Sequence, residues 1–164
     1  MPDVNSSRTA NNGRENNNTM PNWCTNKLTI IGPGAEVQAF KTKAVGYSPW
    51  DEPEDNPNAL NFHSLIPVPD EILAADYGDA RFNWENTHWG CKWGAANSVI
   101  VEEWDGHVEY AFDTAWSPPI ELLTTMATQW PNLTFVLVYE ELGMAFKGIA
   151  KFKGDSKEDY CVSL

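Results

Sequence analysis

Asp105-Gly106 stands between two runs that read as strands, Ser98–Trp104 and His107–Asp113, and this pairing narrows the fold more than any other feature of the chain. A two-residue connection of this type needs positive φ, which Asp and Gly tolerate, and it closes an antiparallel hairpin. In the second strand Val108, Tyr110 and Phe112 take one face, while His107, Glu109 and Asp113 take the other. A lone hairpin is marginal in water, so the ribbon needs neighbours to bury its apolar face.

The neighbours are legible on both sides. Cys24 to Ile31 alternates and stops at Gly32-Pro33-Gly34, as a strand does. Ala35–Val45 then carries Val37, Phe40 and Ala44 at helical spacing, with Glu36 near its start, Lys41 and Lys43 near its end, and Gly46 closing it. After the hairpin, Ser117 reads as an N-cap with Pro118 at the first helical position, and Trp116 as a hydrophobic staple. Ile120, Leu123, Met126, Ala127 and Trp130 form the stripe of this second helix, which Pro131 ends. Leu133–Glu140 and Ala145–Lys153 alternate as strands, the latter with Phe146, Ala150 and Phe152 opposite Lys147, Lys151 and Lys153. The order β-α-(insertion)-β-β-α-β-β predicts an α+β fold: a ferredoxin-like split βαβ sandwich with two helices on an antiparallel sheet and an extra C-terminal strand.

This domain is expected over residues 20–154, with an insertion at about 47–97. Pro49, Pro53, Pro57, Pro67 and Pro69 break long elements there. A short strand is expected at Asn61–Ile66, a helical turn near Asp70–Ala75, and loop elsewhere. Residues 1–19 are Asn-rich with few apolar side chains, the composition of a disordered extension. Residues 155–164 read as a tail with little signal.

Charge excludes some functions. Eleven Lys and Arg face 23 Asp and Glu, a formal net charge of −12, and such a field repels a phosphate backbone. Direct nucleic-acid binding is disfavoured. The chain has no apolar run of about 20 residues to span a membrane, and no basic-then-apolar leader is expected. Cys24, Cys91 and Cys161 suit neither a disulfide framework nor an iron–sulfur or zinc site, and read as reduced thiols of a cytoplasmic protein. His63, His88 and His107 lack metal-site spacing, and His107 reads as a solvated strand residue. No cofactor and no metal is expected.

The candidate site lies in the tryptophan phrases. Trp89-Gly90-Cys91-Lys92-Trp93 offers two indoles around a cation, able to stack on a ligand or on a partner's side chains. Aromatics at that spacing more often pack an insertion onto a core. Asp113 and Trp116, in the phrase Asp113-Thr114-Ala115-Trp116-Ser117-Pro118-Pro119, stand where a strand meets a helix, and strand-to-helix punctuation explains the phrase better than a ligand site does. Glu140 is a further candidate; the adjacent pairs Glu102-Glu103 and Glu140-Glu141 point to opposite faces of a strand and make a weak acid–base site. Asp51, Glu52, Glu54 and Asp55 make an acidic surface, usually a solvated loop and otherwise a mimic of phosphate charge.

Four phrases together resemble the Api92-like/YubB proteins of phages and conjugative plasmids: Met20–Gly32 (M-P-N-W-C-x-N-x-L-x-I-x-G), Trp89–Trp93, Phe112–Pro119 and Glu141–Gly148 (E-x-G-M-x-F-x-G). The chain has Cys91 and Gly94 where the commoner form has Thr and Asp. The resemblance implies a ferredoxin-like domain of unknown function and a mobile-element origin, with a start at the position of Met20. It carries no catalytic residues. The leading expectation is therefore a non-enzymatic interaction protein in the bacterial host cytoplasm, binding an unknown protein partner through Trp89, Lys92, Trp93, Asp113, Trp116 and Glu140, its oligomeric state open. The alternatives are an acidic nucleic-acid mimic that inhibits a host defence protein, and a nucleotide or small-ligand binding protein or enzyme.

Overall fold

The computed structural model describes residues 20–50 and 56–164. The disordered extension expected at residues 1–19 and the acidic surface Asp51, Glu52, Glu54 and Asp55 lie outside them.

Among the described residues six strands form one antiparallel sheet: β1 (Trp23–Ile31), β2 (Lys92–Trp104), β3 (His107–Ala115), β4 (Thr134–Glu141), β5 (Phe146–Lys153) and β6 (Ser156–Ser163). Their order is β2-β3-β1-β4-β5-β6. The first four make the split βαβ of a ferredoxin-like fold, and β5 and β6 extend it by hairpins. The two long crossovers hold α1 (Gly34–Ala44) and α5 (Ile120–Gln129).

Both helices cover one face. Alternation in β1 buries Cys24, Asn26, Leu28 and Ile30, and leaves Trp23, Thr25 and Lys27 on the other side. Val37 and Phe40 of α1, with Leu122, Leu123 and Met126 of α5, join Leu28, Tyr110, Phe135 and Leu137 in a single core. Phe40 meets Phe135 and Trp130 edge-on at 5.5 and 5.7 Å. Each such side chain contributes about 1.5–3 kcal/mol by leaving water. At the hairpin, Gly106 has φ +74 and a Cβ there would lie 2.6 Å from the Gly32 carbonyl oxygen. Both the conformation and the close approach call for glycine.

Four local expectations are corrected. Asn61–Ile66 is not a strand but a helical turn, α2 (Phe62–Leu65): the Asn61 side chain accepts from Ser64 N–H, and Phe62 and Leu65, three apart, enter the core. The insertion is largely ordered, with α3 (Asp70–Leu73) near the expected turn, α4 (Asp79–His88), and β2 starting six residues before Ser98. That early part of β2 is shifted in register twice, between Lys92 and Val99, which hides its alternation. Residues 155–164 supply β6, whose side chains are all exposed; backbone pairing with β5 holds it, helped by a Tyr139 hydroxyl bond to Asp159 at 2.8 Å. Gly46 does not cap α1. Val45 does so in extended conformation, and Gly46 bridges to Asn58.

Candidate functional site

Two tryptophans four residues apart have opposite fates. Trp89 caps the end of α4 and is 1% exposed. Its indole N–H donates to the Ile66 carbonyl at 3.2 Å, and its ring meets Phe62, Trp84 and Trp50 edge-on. Trp89 is therefore core, as aromatic spacing alone favours, and leaves the candidate surface. Gly90, at φ +82, then turns the chain so that Trp93 emerges 40% exposed at the start of β2.

Trp93 is held outward by a buried charge. The fully buried carboxylate of Glu85 accepts the Trp93 backbone N–H at 3.1 Å through one oxygen and Arg81 Nε at 2.9 Å through the other. The Arg81 guanidinium lies 3.3 Å from the Trp50 ring centre and 4.6 Å from that of Tyr77. The Lys92 ammonium lies 4.1 Å from the Trp93 ring and 5.0 Å from the Tyr77 ring. Rings and cations thus alternate from Trp50 through Arg81, Tyr77 and Lys92 to Trp93, each contact attractive through the ring quadrupole. Burial, helped by the Glu85 charge, pushes the Tyr77 hydroxyl up to about 12, so it stays neutral.

Beside this ladder lies an open groove of about 810 Å³, lined by Trp23, Trp50, Tyr77, Arg81 and Trp93 and floored by the chain from Gly94 to Val99. That floor is strained: Trp93 and Asn97 have φ +70 and +55, and Gly94 lies between them at φ +83. Non-glycine residues in this region cost about 1–3 kcal/mol each and gather where structure serves a function.

The other candidates divide. Asp113 does not line the groove but accepts Asn97 Nδ2–H at 3.1 Å from a residue that does. Glu140 lies beyond it on the open face of the sheet, in register with Asp113 across Thr25. Trp116 is 43% exposed at φ +71, with its N–H bonded to the Asn22 carbonyl, and is not a staple. Ser117 is not the N-cap of α5 either: Pro119 holds that position, while the Ser117 hydroxyl donates to the Gly90 carbonyl at 2.7 Å. The paired carboxylates do part as expected. Glu103 pairs with Lys41 of α1, and Glu141 is buried, accepting N–H bonds from Gly143 and Met144 at 2.7 and 2.6 Å.

Sequence reasoning missed Trp50, Tyr77, Arg81 and Glu85. Arg81 and Glu85 carry one signal, their i,i+4 spacing within a proline-broken segment that predicts loop; Trp50 and Tyr77 carry none. Glu102, His107 and Glu109, side chains of types that can ligate a metal, gather at the other end of the β2–β3 hairpin. His107 there is not simply solvated: its ring stacks on Trp104 at 3.7 Å.

Residues 88–163 match the family model described as the ferredoxin-like domain in Api92-like protein. Among solved structures, the chain is similar to protein api92 from Yersinia pseudotuberculosis, with a TM-score of 0.65 and 11% identity over 85% of this chain and 98% of that one. No curated protein matches the chain in sequence.

Proposed function

We propose, from the premise that this chain carries the ferredoxin-like domain of Api92-like proteins, that it is a non-enzymatic binding protein which engages a protein partner through the aromatic groove beside β2. The observation that carries this reading is the placement of Trp93. A large apolar ring stands 40% exposed on a backbone at φ +70, fixed there by the buried Glu85 carboxylate. Nothing in the sheet requires that arrangement, and Trp, Tyr and Arg around a groove are the residues that dominate protein interfaces.

A nucleotide or other anion suits the groove less well. Arg81 is already neutralised by Glu85 and sandwiched by aromatic rings, which leaves Lys92, beside the Trp93 ring, as the cation of the groove without an ion pair among the described residues. The family likeness supports a mobile-element protein acting in a host cell, and the acidic charge supports a basic partner surface. Among the described residues no helix is long and apolar enough to cross a membrane.

The test is capture from host cells with the full chain. A partner held by the parent and by Trp116→Ala, and lost with Trp93→Gly at unchanged unfolding midpoint, supports the reading. Retention of the same partner by Trp93→Gly overturns it. So does a metabolite extract that stabilises the parent alone, since the groove would then be a small-ligand site.

A further inference from the structure

We propose that the open-face corner of the β2–β3 hairpin binds a divalent cation, Zn²⁺ above all, through Glu102, His107 and Glu109. One ligand atom from each of the three lies within 4.8 Å of the others. Strand register creates the cluster. Glu102 pairs with Glu109 and Trp104 with His107, so all of them sit on the face that α1 and α5 leave open. None of this is visible as a sequence motif, because the donors meet across strands and not along a helix.

The imidazole is what distinguishes this corner from an ordinary acidic surface. Its ring lies parallel to the Trp104 indole, with 6° between planes, which fixes its orientation. Its Nε2 is buried and has no hydrogen-bond partner among the described residues. The half-buried ring thus keeps ligating capacity that hydrogen bonds of its Nε2 do not use up.

Glu109 is prepared in the way metal-ligating carboxylates are. It is 7% exposed, with Oε1 held by the Lys27 ammonium at 2.9 Å and Oε2 by the Thr29 hydroxyl at 3.3 Å. Those contacts aim the carboxylate while each oxygen keeps a further lone pair. Lys27 is largely exposed and free to swing away as the ion arrives. Glu102 is exposed and closes on the ion by rotating its flexible side chain, bringing the donors to the ~2 Å bonds of a zinc site. One imidazole with two carboxylates suits Zn²⁺ or Mn²⁺ better than a soft ion such as Cu(I). Water would fill the remaining positions.

Zn²⁺ itself is the probe, titrated calorimetrically into the full chain. The expected result is one saturable site, weakened at least tenfold by His107→Ala and by Glu109→Gln but unchanged by Cys161→Ser, which removes the exposed thiol. A second measurement needs no variant: substoichiometric Mn²⁺ should first broaden the amide signals of residues 102 and 107–109. Saturable binding absent below roughly 1 mM, a His107→Ala protein that binds like the parent, or broadening centred elsewhere would each overturn the proposal.

Discussion

The hydroxyl of Ser117 donates to the carbonyl of Gly90 at 2.7 Å, and this bond joins the two tryptophan phrases into one piece of structure. Gly90 carries the φ of +82 that separates Trp89 from Trp93, and a Cβ there would lie 3.1 Å from the Glu121 backbone nitrogen. Ser117→Ala should cost about 1 kcal/mol, the net worth of one hydrogen bond. Gly90→Ala should cost more, about 1–3 kcal/mol, because strain at positive φ adds to the close approach. Urea unfolding measures both; equal midpoints for Ser117→Ala and the parent would remove the link's energetic meaning.

Trp89 and Trp93 should separate cleanly in stability. Trp89→Ala empties a core position and is expected to cost about 3–5 kcal/mol. Trp93→Gly relieves a left-handed backbone while removing a half-exposed ring, so its expected cost is under about 1 kcal/mol. Chemical denaturation of the two variants is the check, and comparable losses would place Trp93 in the core.

Glu85→Gln leaves the Arg81 guanidinium without its buried counter-charge. The expected destabilisation is about 3–5 kcal/mol, the usual result of breaking one side of such a pair. A double-mutant cycle with Arg81→Met should show strong coupling, since Arg81 and Glu85 share one bond at 2.9 Å. Additive effects would mean that the pair is incidental to the insertion.

His63 predicts a pH slope. Its Nδ1 accepts the Val68 N–H at 3.0 Å, which requires the lone pair, and burial lowers its affinity for a proton below the ordinary value of 6.5. The unfolded chain therefore binds the proton more readily. Stability from this group is fully present above about pH 6.5 and is lost as pH falls through the lower folded value. Unfolding at pH 7.5 and 5.5 should show that loss in the parent and a smaller one in His63→Gln.

Thiol reactivity should be confined to one cysteine. Burial pushes the Cys24 thiol up to about 12 and raises Cys91 as well, with the Glu85 charge adding to the effect there, whereas Cys161 is exposed on β6. A thiol-specific reagent at neutral pH should label Cys161 in the folded protein, and all three after denaturation. Rapid labelling of Cys91 in native conditions would show that the insertion opens readily.

Period and punctuation made the sheet and its two helices legible. The alternation in β3 and β4 and the helical spacing of Val37, Phe40 and Ala44 report burial against a single core, which leaves its mark residue by residue. The insertion left no such mark. In α4 the buried side chains are Arg81 and Glu85, a charged pair where an apolar stripe would be sought. β6 is exposed throughout, so no face of it is written in apolar residues. At the candidate site the sequence pointed to Trp93 and Lys92 because they lie in one phrase. It missed Trp50 and Tyr77, which reach the groove from distant positions.

The four phrases largely hold one another. Asn26 bonds to Thr114, Thr114 to the Ser117 carbonyl, Ser117 to Gly90, and Glu141 to its own turn at Gly143 and Met144. Trp50, Tyr77 and Arg81, which line the groove, belong to the insertion and precede the matched residues 88–163. The groove is thus built from both parts: the phrases supply Trp23 and Trp93, and the insertion supplies Trp50, Tyr77 and Arg81. On the proposed reading, a chain that keeps Trp23 and Trp93 but carries a different segment at residues 47–87 keeps the sheet and changes half of the groove wall, and so should change partner.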